Sequence, residues 1–505
     1  MTNLDVVDDG TPAVVAPAEP PGPGGSVVFL RRGAAAARTR PWSAWLARRD
    51  WNVRFGLRRL AVVVGLMPLI VLLAWRAPKL IGDPLLASYG FVVLSGTILL
   101  FYIAYTRYED PSDPASVPHP NRDHAPALPA TPRVSFLLAV HNEEQVIEEC
   151  VRSVAGSDYP DLEVIVIDDA STDGTVDVLR RLESELGIRV LLLEENVGKK
   201  RALTEGAAVA AGEVFAFTDS DCVLAPDALR RCVTALVRNP GMGAVSGHAR
   251  ALNADESLLT RITDSWMEGS FRITKAAEAS FGSVSCVSGP LAVFRRDAVY
   301  NYFPAWANDR FLGVEFRFAT DRQLTGYVLG QRWKGRELKW RYLYSPFVRE
   351  VDYPERRWRV GYVRSAHVLT QNPARIRPLL RQRVRWQKSF IRNTCFTSSF
   401  MWRLGVGPSL MYYGHCLWVV AAPIMAARHW VWAPLNGLYF LTFLYLCGIV
   451  MKGSAWAIAY RIDNPGDPRW RYRILMSFIS TFLLAWLLPY ALLTVRRSRW
   501  NRSAT

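Results

Sequence analysis

Cysteine is thin and scattered in this chain of 505 residues. Its seven cysteines, Cys150, Cys222, Cys232, Cys286, Cys395, Cys416 and Cys447, include no pair at metal-ligand spacing, and two lie inside apolar runs. An odd, dispersed set fits reduced thiols in a protein that faces the cytosol. The net charge of +16 comes without any zinc-finger or RNA-binding signature, so no nucleic acid is expected as a partner. The N-terminus opens acidic and lacks the basic stretch that a secretory leader sets directly before its apolar core. Mean hydropathy, +0.06, is too low for an all-helical transporter. Internal repeats and polar, broken mid-membrane helices, the marks of such a transporter, are not evident either.

Half of the residues are hydrophobic, with 18 Trp and 19 Tyr, which fits a mixed membrane and soluble architecture. Residues 1–59 read as a disordered tail that turns basic, with nine Arg between Arg31 and Arg59. Residues 60–105 hold two apolar runs, Leu60–Trp75 and Leu85–Tyr105, read as transmembrane helices or, alternatively, as buried core helices. The nine Arg before the first run outweigh Arg76 and Lys79 in the loop, which places the N-terminus in the cytosol and returns the chain there. A Pro-rich linker covers 106–133.

From Val134 the pattern changes. Short apolar runs at Val134–Val140, Glu163–Ile167, Arg189–Leu193 and Val214–Thr218 alternate with helical segments near 143–155, 174–186 and 199–211. Strands alternating with helices predict an α/β domain with a mostly parallel sheet over 134–390, and such sheets bind ligands at the carboxyl ends of their strands. Residues 391–505 hold interfacial and apolar helical segments: Pro408–Ala427, Trp432–Met451 and Ile474–Val495. Three full spans would strand Arg496, Arg497, Arg499 and Arg502 outside the cell. The last run is therefore expected to turn back at Pro489 as a re-entrant hairpin.

Several clusters carry chemistry. Asp219-Ser220-Asp221 ends a strand, where carboxylates can hold the hard divalent cation that a departing diphosphate needs; a plain Asp turn is the alternative. Asp168-Asp169 can accept hydrogen bonds from a base or ribose, or form a capped turn. Asn196-Val197-Gly198-Lys199-Lys200-Arg201 precedes a helix and offers an anion site, or a solvated basic turn. Ser288-Gly289-Pro290-Leu291 is a stiff loop suited to close approach by an acceptor, or a simple turn. Asp321 before a helical pattern is a general base or an N-cap. In Gln382-Arg383-Val384-Arg385-Trp386, indole offers a face to a sugar ring and guanidinium a fork to phosphate, unless the segment is an interfacial anchor.

Together these residues resemble the processive family 2 glycosyltransferases, in particular the hyaluronan synthase and chitin-oligosaccharide synthase branch. The matching elements are Ala139-Val140-His141-Asn142-Glu143, Asp168-Asp169-Ala170-Ser171, Gly198-Lys199, Asp219-Ser220-Asp221, Ser288-Gly289-Pro290-Leu291 with Arg295-Arg296, Asp321-Arg322-Gln323-Leu324-Thr325, and Gln382-Arg383-Val384-Arg385-Trp386-Gln387-Lys388-Ser389. The resemblance covers roughly residues 60–500. It implies a GT-A-type nucleotide-sugar-binding domain flanked by transmembrane and interfacial helices, and a hexosyltransferase of the cell membrane, multi-pass, with a cytosolic catalytic domain. By resemblance its partners are UDP-sugar donors, a growing polysaccharide and the lipid bilayer, and its cofactor is Mg²⁺ or Mn²⁺.

The same resemblance implies the roles of residues. Asn142, Glu143 and Asp169 line the uridine site and Lys199 meets the diphosphate. Asp219 and Asp221 hold the metal, with Asp221 the direct ligand and Ser220 between them in the donor site. Asp321 deprotonates the acceptor. Ser288, Gly289 and Pro290, with Gln382, Arg385 and Trp386, seat the acceptor and the leaving UDP at the mouth of a membrane channel.

Four features depart from the family. Thr320 stands where an acidic residue usually precedes the base, which removes a like charge from beside Asp321. His141 stands for the more usual Tyr, and Asn393 for a Glu. Residues 331–362 read as an insertion, with Trp333, Trp340, Tyr342, Tyr344 and Trp358 among nine Lys and Arg, suited to membrane docking or to a solvated hairpin. Competing readings are a synthase of chitin or glucan from one donor, a single transfer to a lipid phosphate, and a transporter or scaffold with a degenerate nucleotide-binding domain.

Overall fold

The computed structural model describes residues 82–118, 125–318 and 320–497. The Arg-rich stretch, the run Leu60–Trp75, Ala319, Arg499 and Arg502 lie outside the described residues.

The four predicted strands form: β1 (Val134–Val140), β2 (Leu162–Asp168), β3 (Arg189–Leu192) and β4 (Val214–Phe217). β1 is buried at every position, as a strand covered on both faces requires. Helices Ile147–Ala155, Thr175–Leu186 and Lys199–Val209 connect them. β5 (Cys222–Leu224), β6 (Met242–Ala251), β7 (Ala292–Arg295) and β10 (Arg359–Thr370) complete an eight-stranded sheet of order β3-β2-β1-β4-β7-β6-β10-β5. β8 (Arg310–Phe311) and β9 (Val314–Glu315) make a separate hairpin. β1, β2, β3 and β4 pair in parallel, as do β6 and β10, while β7 runs antiparallel to β4 and β6.

The order positions the site. From β1 the chain steps outward to β2 and β3, then returns across β1 to β4, so the winding reverses between β1 and β4. A crevice opens at the carboxyl ends of strands where such a reversal occurs. Because β7 is antiparallel to β4, with Ala292 opposite Phe217, the loop entering β7 arrives at that same edge.

Four helical stretches among the described residues are long and apolar enough to cross a membrane: Pro84–Thr106, Val406–Leu435, Tyr439–Asp463 and Pro468–Leu493. The second C-terminal stretch starts at Tyr439 rather than at Trp432, because the chain turns at Asn436-Gly437, where Gly437 has φ 71°. Pro489 lies inside the helix Leu487–Leu493, so the chain does not reverse there; the helical break falls at Ala485-Trp486. Both ends of that last run nevertheless touch the α/β domain. Arg469 pairs with Asp255 and Asp264, whereas Val495 packs on Phe316 and Phe318, and Lys388 Nζ donates to the Arg497 carbonyl at 2.8 Å. Between them Phe482 meets Trp430, near the opposite end of the helix that starts at Val406 (ring centres 4.2 Å apart).

Residues 331–362 are not an appendage. The helix Thr320–Trp340 runs unbroken through residue 331, and Arg359–Tyr362 open β10. Gln331 is buried and accepts from the Arg356 N–H (2.7 Å) and from Trp358 Nε1 (2.8 Å). Trp340 and Tyr344 alone of the segment's named aromatics stand well exposed, at 73% and 91%. Likewise the helix Ile376–Thr397 passes through residue 390 without a boundary.

Candidate active site

β1 and β2 end in two turns that hold each other. Asn142 (φ 54°) and Ala170 (φ 55°) both sit in the left-handed region, sparsely populated by residues other than glycine. The Asn142 N–H donates to Ser171 Oγ (2.9 Å), and Asn142 Oδ1 accepts from the Thr172 N–H (2.7 Å). The Glu143 N–H is held by Thr175 Oγ1 (2.9 Å). His141 donates Nδ1–H to the Asp169 carbonyl at 2.8 Å, which fixes its ring.

Asp169 is more committed than the sequence suggests. Its carboxylate accepts from the Val197 and Gly198 N–H groups (2.7 and 2.9 Å), and so shapes the loop that leads into Lys199. Burial pushes its pKa up, against the pull of those two amides. The unpartnered acceptor here is the buried Oδ1 of Asp168, whose Oδ2 takes the Ser171 N–H (2.9 Å).

Lys199 opens its helix with its ammonium against Asp219. Burial disfavours that charge, but Asp219 and Asp221 outweigh it and raise the lysine pKa. Lys200, one step along the helix, points elsewhere. It is 4% exposed and donates to the Phe316 carbonyl (2.9 Å) and Gln323 Oε1 (2.6 Å) beside the Asp309–Arg392 pair. Burial lowers its pKa to about 8. Only the first lysine of the pair is therefore available to an anion.

Asp219, Asp221 and Cys222 bring one ligand atom each within 4.8 Å of one another. Burial, with the charge of Asp219, pushes Asp221 up to about 6. Burial also holds the Cys222 thiol well above its ordinary range, so it stays protonated and the carboxylate oxygens are the usable donors. Such a set fits a hard cation that keeps most of its shell as phosphate and water, and does not fit a thiolate zinc site.

Asp321 lies in the first turn of Thr320–Trp340. Its Oδ1 accepts the Arg322 N–H at 2.8 Å; its Oδ2 faces the Gly289 N–H (3.3 Å) and the Cys286 thiol (3.4 Å). Gly289 joins the two acidic centres. A Cβ on it would come 2.7 Å from Asp219 Oδ2, so a larger residue requires the carboxylate or the loop to shift. The Thr218 hydroxyl donates to the Pro290 carbonyl (2.7 Å), and Ser246 Oγ holds the Ser288 N–H (3.2 Å).

Arg385, on the helix Ile376–Thr397, is half-buried, and burial lowers its pKa while Asp219, Asp221 and Asp321 together act against that. Its charge thus answers to all three carboxylates. Trp386 is 43% exposed and stacks on Trp266 (ring centres 6.1 Å). Gln382, one turn earlier on the same face, is half-buried.

The profile of glycosyl transferase family 2 matches residues 135–303, which span β1 through β7 and both acidic clusters. Over these residues the chain matches the family. An N-acetylglucosaminyltransferase of Azorhizobium caulinodans is 28% identical over 378 residues, covering 74% of this chain and 88% of that protein. Hyaluronan synthase 3 of Xenopus laevis is 25% identical over 426 residues, covering 73% and 68%. Among solved structures, a mannosyltransferase of Pyrobaculum calidifontis in complex with GDP-Man and Mn²⁺ superposes with a TM-score of 0.47 at 20% identity, covering 79% of this chain and 97% of that one. The expected enzyme class, a family 2 hexosyltransferase, stands.

The fold brings Lys199, Asp219, Asp221, Gly289, Asp321 and Arg385 to one edge of the sheet. Sequence reasoning missed Cys286 at the base and the unpaired Oδ1 of Asp168. It missed Trp266 under Trp386 as well, since a lone Trp in an amphipathic helix carries no distinguishing signal. Gly289→Ala is expected to lower kcat/KM roughly 10–100-fold by displacing Asp219 or the loop, with thermal stability nearly unchanged. UDP release at saturating and limiting donor checks this; wild-type kinetics would show that the loop yields freely.

Proposed function

We propose that this chain is a membrane-embedded, processive and inverting polymerase that uses UDP-sugars, GlcNAc and/or GlcA in the manner of hyaluronan synthesis, and that it passes its product across the bilayer. The observation that carries this reading is the shared loop: Gly289 touches both Asp321 and Asp219, so a base and a diphosphate-binding set stand on either side of one backbone segment. A Mg²⁺ or Mn²⁺ ion on Asp219 and Asp221 would supply neutralisation of the leaving diphosphate. Lys199 and Arg385 add two cations to the same task. Asp321 takes the proton of the acceptor hydroxyl as that oxygen attacks the anomeric carbon, the bond to UDP breaks on the opposite face, and the configuration inverts. Trp386 offers its face to the acceptor sugar. Asn142 and Glu143, with Asp168 and Asp169, frame the uridine end.

The bilayer is supported by the four apolar helices and their exposed faces, including Val406 at 85%, Leu435 at 80% and Leu493 at 88% exposure. The cytosolic side for the catalytic domain is supported by the Arg-rich segment before the first run and by the return of the chain to that domain at Arg497. A Cys introduced after residue 500 is expected to resist an impermeant thiol reagent in intact cells; labelling there would reverse the orientation.

A single-donor synthase is the second reading. It is favoured by the likeness to N-acetylglucosaminyltransferases and by Thr320 beside the base. The test is UDP release from purified, detergent-solubilised protein with Mn²⁺, comparing UDP-GlcNAc, UDP-GlcA, UDP-Glc and the GlcNAc/GlcA mixture, with product sizing on a gel. Polymer from the mixture alone supports the hyaluronan-type reading. Polymer or oligomer from one donor selects the second.

A further inference from the structure

Lys199 and Lys200 part at the first turn of their helix, and the second serves a buried junction. Lys200 Nζ donates to the Phe316 carbonyl (2.9 Å) and to Gln323 Oε1 (2.6 Å), and pairs with Asp309 at 3.4 Å. Asp309 also accepts two bonds from the Arg392 guanidinium, one of them from Nε at 2.9 Å. Gln323 Nε2 donates in turn to the Tyr327 hydroxyl (2.6 Å). These five side chains are all buried. Among the described residues Asp309 is the one carboxylate within ion-pair distance of either cation. Two buried cations therefore share a single carboxylate, and Asn393, buried beside Arg392, supplies no second one. The surplus charge falls on Lys200, whose ammonium is disfavoured by burial and further by Arg392.

Each member stands a short step from a residue of the site, and each on a different element. Lys200 follows Lys199 in Lys199–Val209. Gln323 comes two residues after Asp321 in Thr320–Trp340. Arg392 comes seven residues after Arg385 in Ile376–Thr397, two turns on and on the same face. Asp309 enters the β8–β9 hairpin and Phe316 leaves it, the Phe316 N–H donating to the Asp309 carbonyl at 2.9 Å. A surplus buried cation adds little stability, since apolar side chains of the same volume do as well or better. It does fix an arrangement. An ammonium with three acceptors at set positions holds the elements that carry them, and Asp309 extends that hold to Arg392. Catalysis needs its groups placed to within about 0.5 Å, which such a junction provides.

We propose that Lys200, Gln323, Asp309 and Arg392 are positioning residues. Their junction sets the register of the Lys199 turn, the Asp321 helix and the Arg385–Trp386 helix, so that a nucleoside diphosphate bound at the first tightens the other two. The inference rests on the glycosyl-transfer reading above and adds a route by which the donor readies the base and the acceptor platform.

The test is hydrogen exchange read by mass spectrometry on the full-length, detergent-purified protein, with and without UDP and Mn²⁺. UDP release from UDP-GlcNAc and from the GlcNAc/GlcA mixture is measured beside it. In wild type, UDP is expected to slow exchange at 196–201 and also along 320–328 and 382–394. Gln323→Met, close in volume, cuts the link to Lys200 and keeps the Asp309–Arg392 pair. Protection then stays at 196–201 and leaves the other two segments, while kcat falls about tenfold and the UDP dissociation constant stays within about twofold. Lys200→Gln is expected to do the same from the other side. Gln323→Glu keeps an acceptor for the ammonium and, because a hydroxyl donates as well as accepts, a bond to Tyr327. It also answers the surplus charge, so turnover and the spread of protection persist. No spread in wild type, or an undiminished spread in both cut variants, would overturn the junction. So would a Gln323→Glu protein as impaired as Gln323→Met, since packing would then be the cause. Spread that both cuts abolish, with no UDP release from any sugar, would instead sink the transfer reading and leave the junction. UDP release at equal rates by wild type and both cut variants would do the reverse.

Discussion

Asp321→Asn is expected to lower kcat by about 10²–10⁴-fold while donor affinity stays within about twofold of wild type. The substitution is nearly isosteric. The amide oxygen can still accept the Arg322 or Gly289 N–H, so the loop between Asp219 and Asp321 keeps its anchor. What is lost is the capacity to take a proton. Lys199, which on the proposed reading meets the diphosphate, pairs with Asp219 and not with Asp321. The expected signature is therefore a fall in kcat with little change in the UDP dissociation constant. A loss below tenfold would move the base elsewhere. A change confined to KM would make Asp321 only the helix-terminal residue that its position also allows.

How much of this could be read from sequence follows from locality. β1 to β4 were legible because each is a short apolar run ending in an acidic or polar cluster, and their connecting helices are amphipathic. β6, β7 and β10 were not, because their partners lie far along the chain and their edges carry few turn signals. β10 was masked further by its own start: Trp358 and Arg359 read as surface residues, yet Trp358 is 1% exposed and packs where Gly243 has no side chain. Among the apolar helices, hydropathy ran straight through the turn at Asn436-Gly437 and moved the predicted span by seven residues, from Trp432 to Tyr439, although Asn-Gly is itself a turn signal. Proline misled at Pro489. It occupies the first turn of Leu487–Leu493, where its missing N–H would have had no helical partner. Site residues were legible where type and place coincide, as for Asp219, Asp221 and Asp321. The opposite fates of Lys199 and Lys200 were not, since adjacent helical side chains diverge by about 100° and only the fold says which way each faces.

That same fold ties the apolar helices to the α/β domain partly through one buried carboxylate, and its removal is the largest stability effect expected. Asp264 is fully buried and accepts from Arg250 (2.9 and 2.6 Å), from Arg469 (3.1 Å) and from the Ala251 N–H (3.0 Å). Arg250 reaches on to Glu268 (3.0 Å) and to the Tyr460 hydroxyl (3.1 Å). Arg250 belongs to β6, Tyr460 to the helix Tyr439–Asp463, and Arg469 to the start of the last run, so this anion links the last run to the sheet directly and the preceding helix through Arg250. Asp264→Asn leaves Arg250 with Glu268 and Arg469 with Asp255 but takes one carboxylate from each, at a cost of about 3 kcal/mol. The double variant Arg250→Met/Asp264→Leu removes one charge of each sign and is expected to lose less than the single one, because the net charge of the buried cluster is unchanged. Thermal unfolding in detergent checks the order; a double variant no more stable than Asp264→Asn would show that packing, not charge, sets the cost. The pH dependence has a definite sign. Burial works against the Asp264 charge, yet Arg250 overcomes it and holds the pKa below the ordinary carboxylate value. This contribution is therefore complete at neutral pH and is lost only as pH falls below the ordinary carboxylate range and through the depressed folded value. Since the sheet edge that carries Asp219 and Asp321 does not depend on this anion, Asp264→Asn is expected to go on releasing UDP while its product shortens. On the proposed reading this bond is one of those that hold the α/β domain to the apolar helices, and its loss uncouples synthesis from export before it silences either.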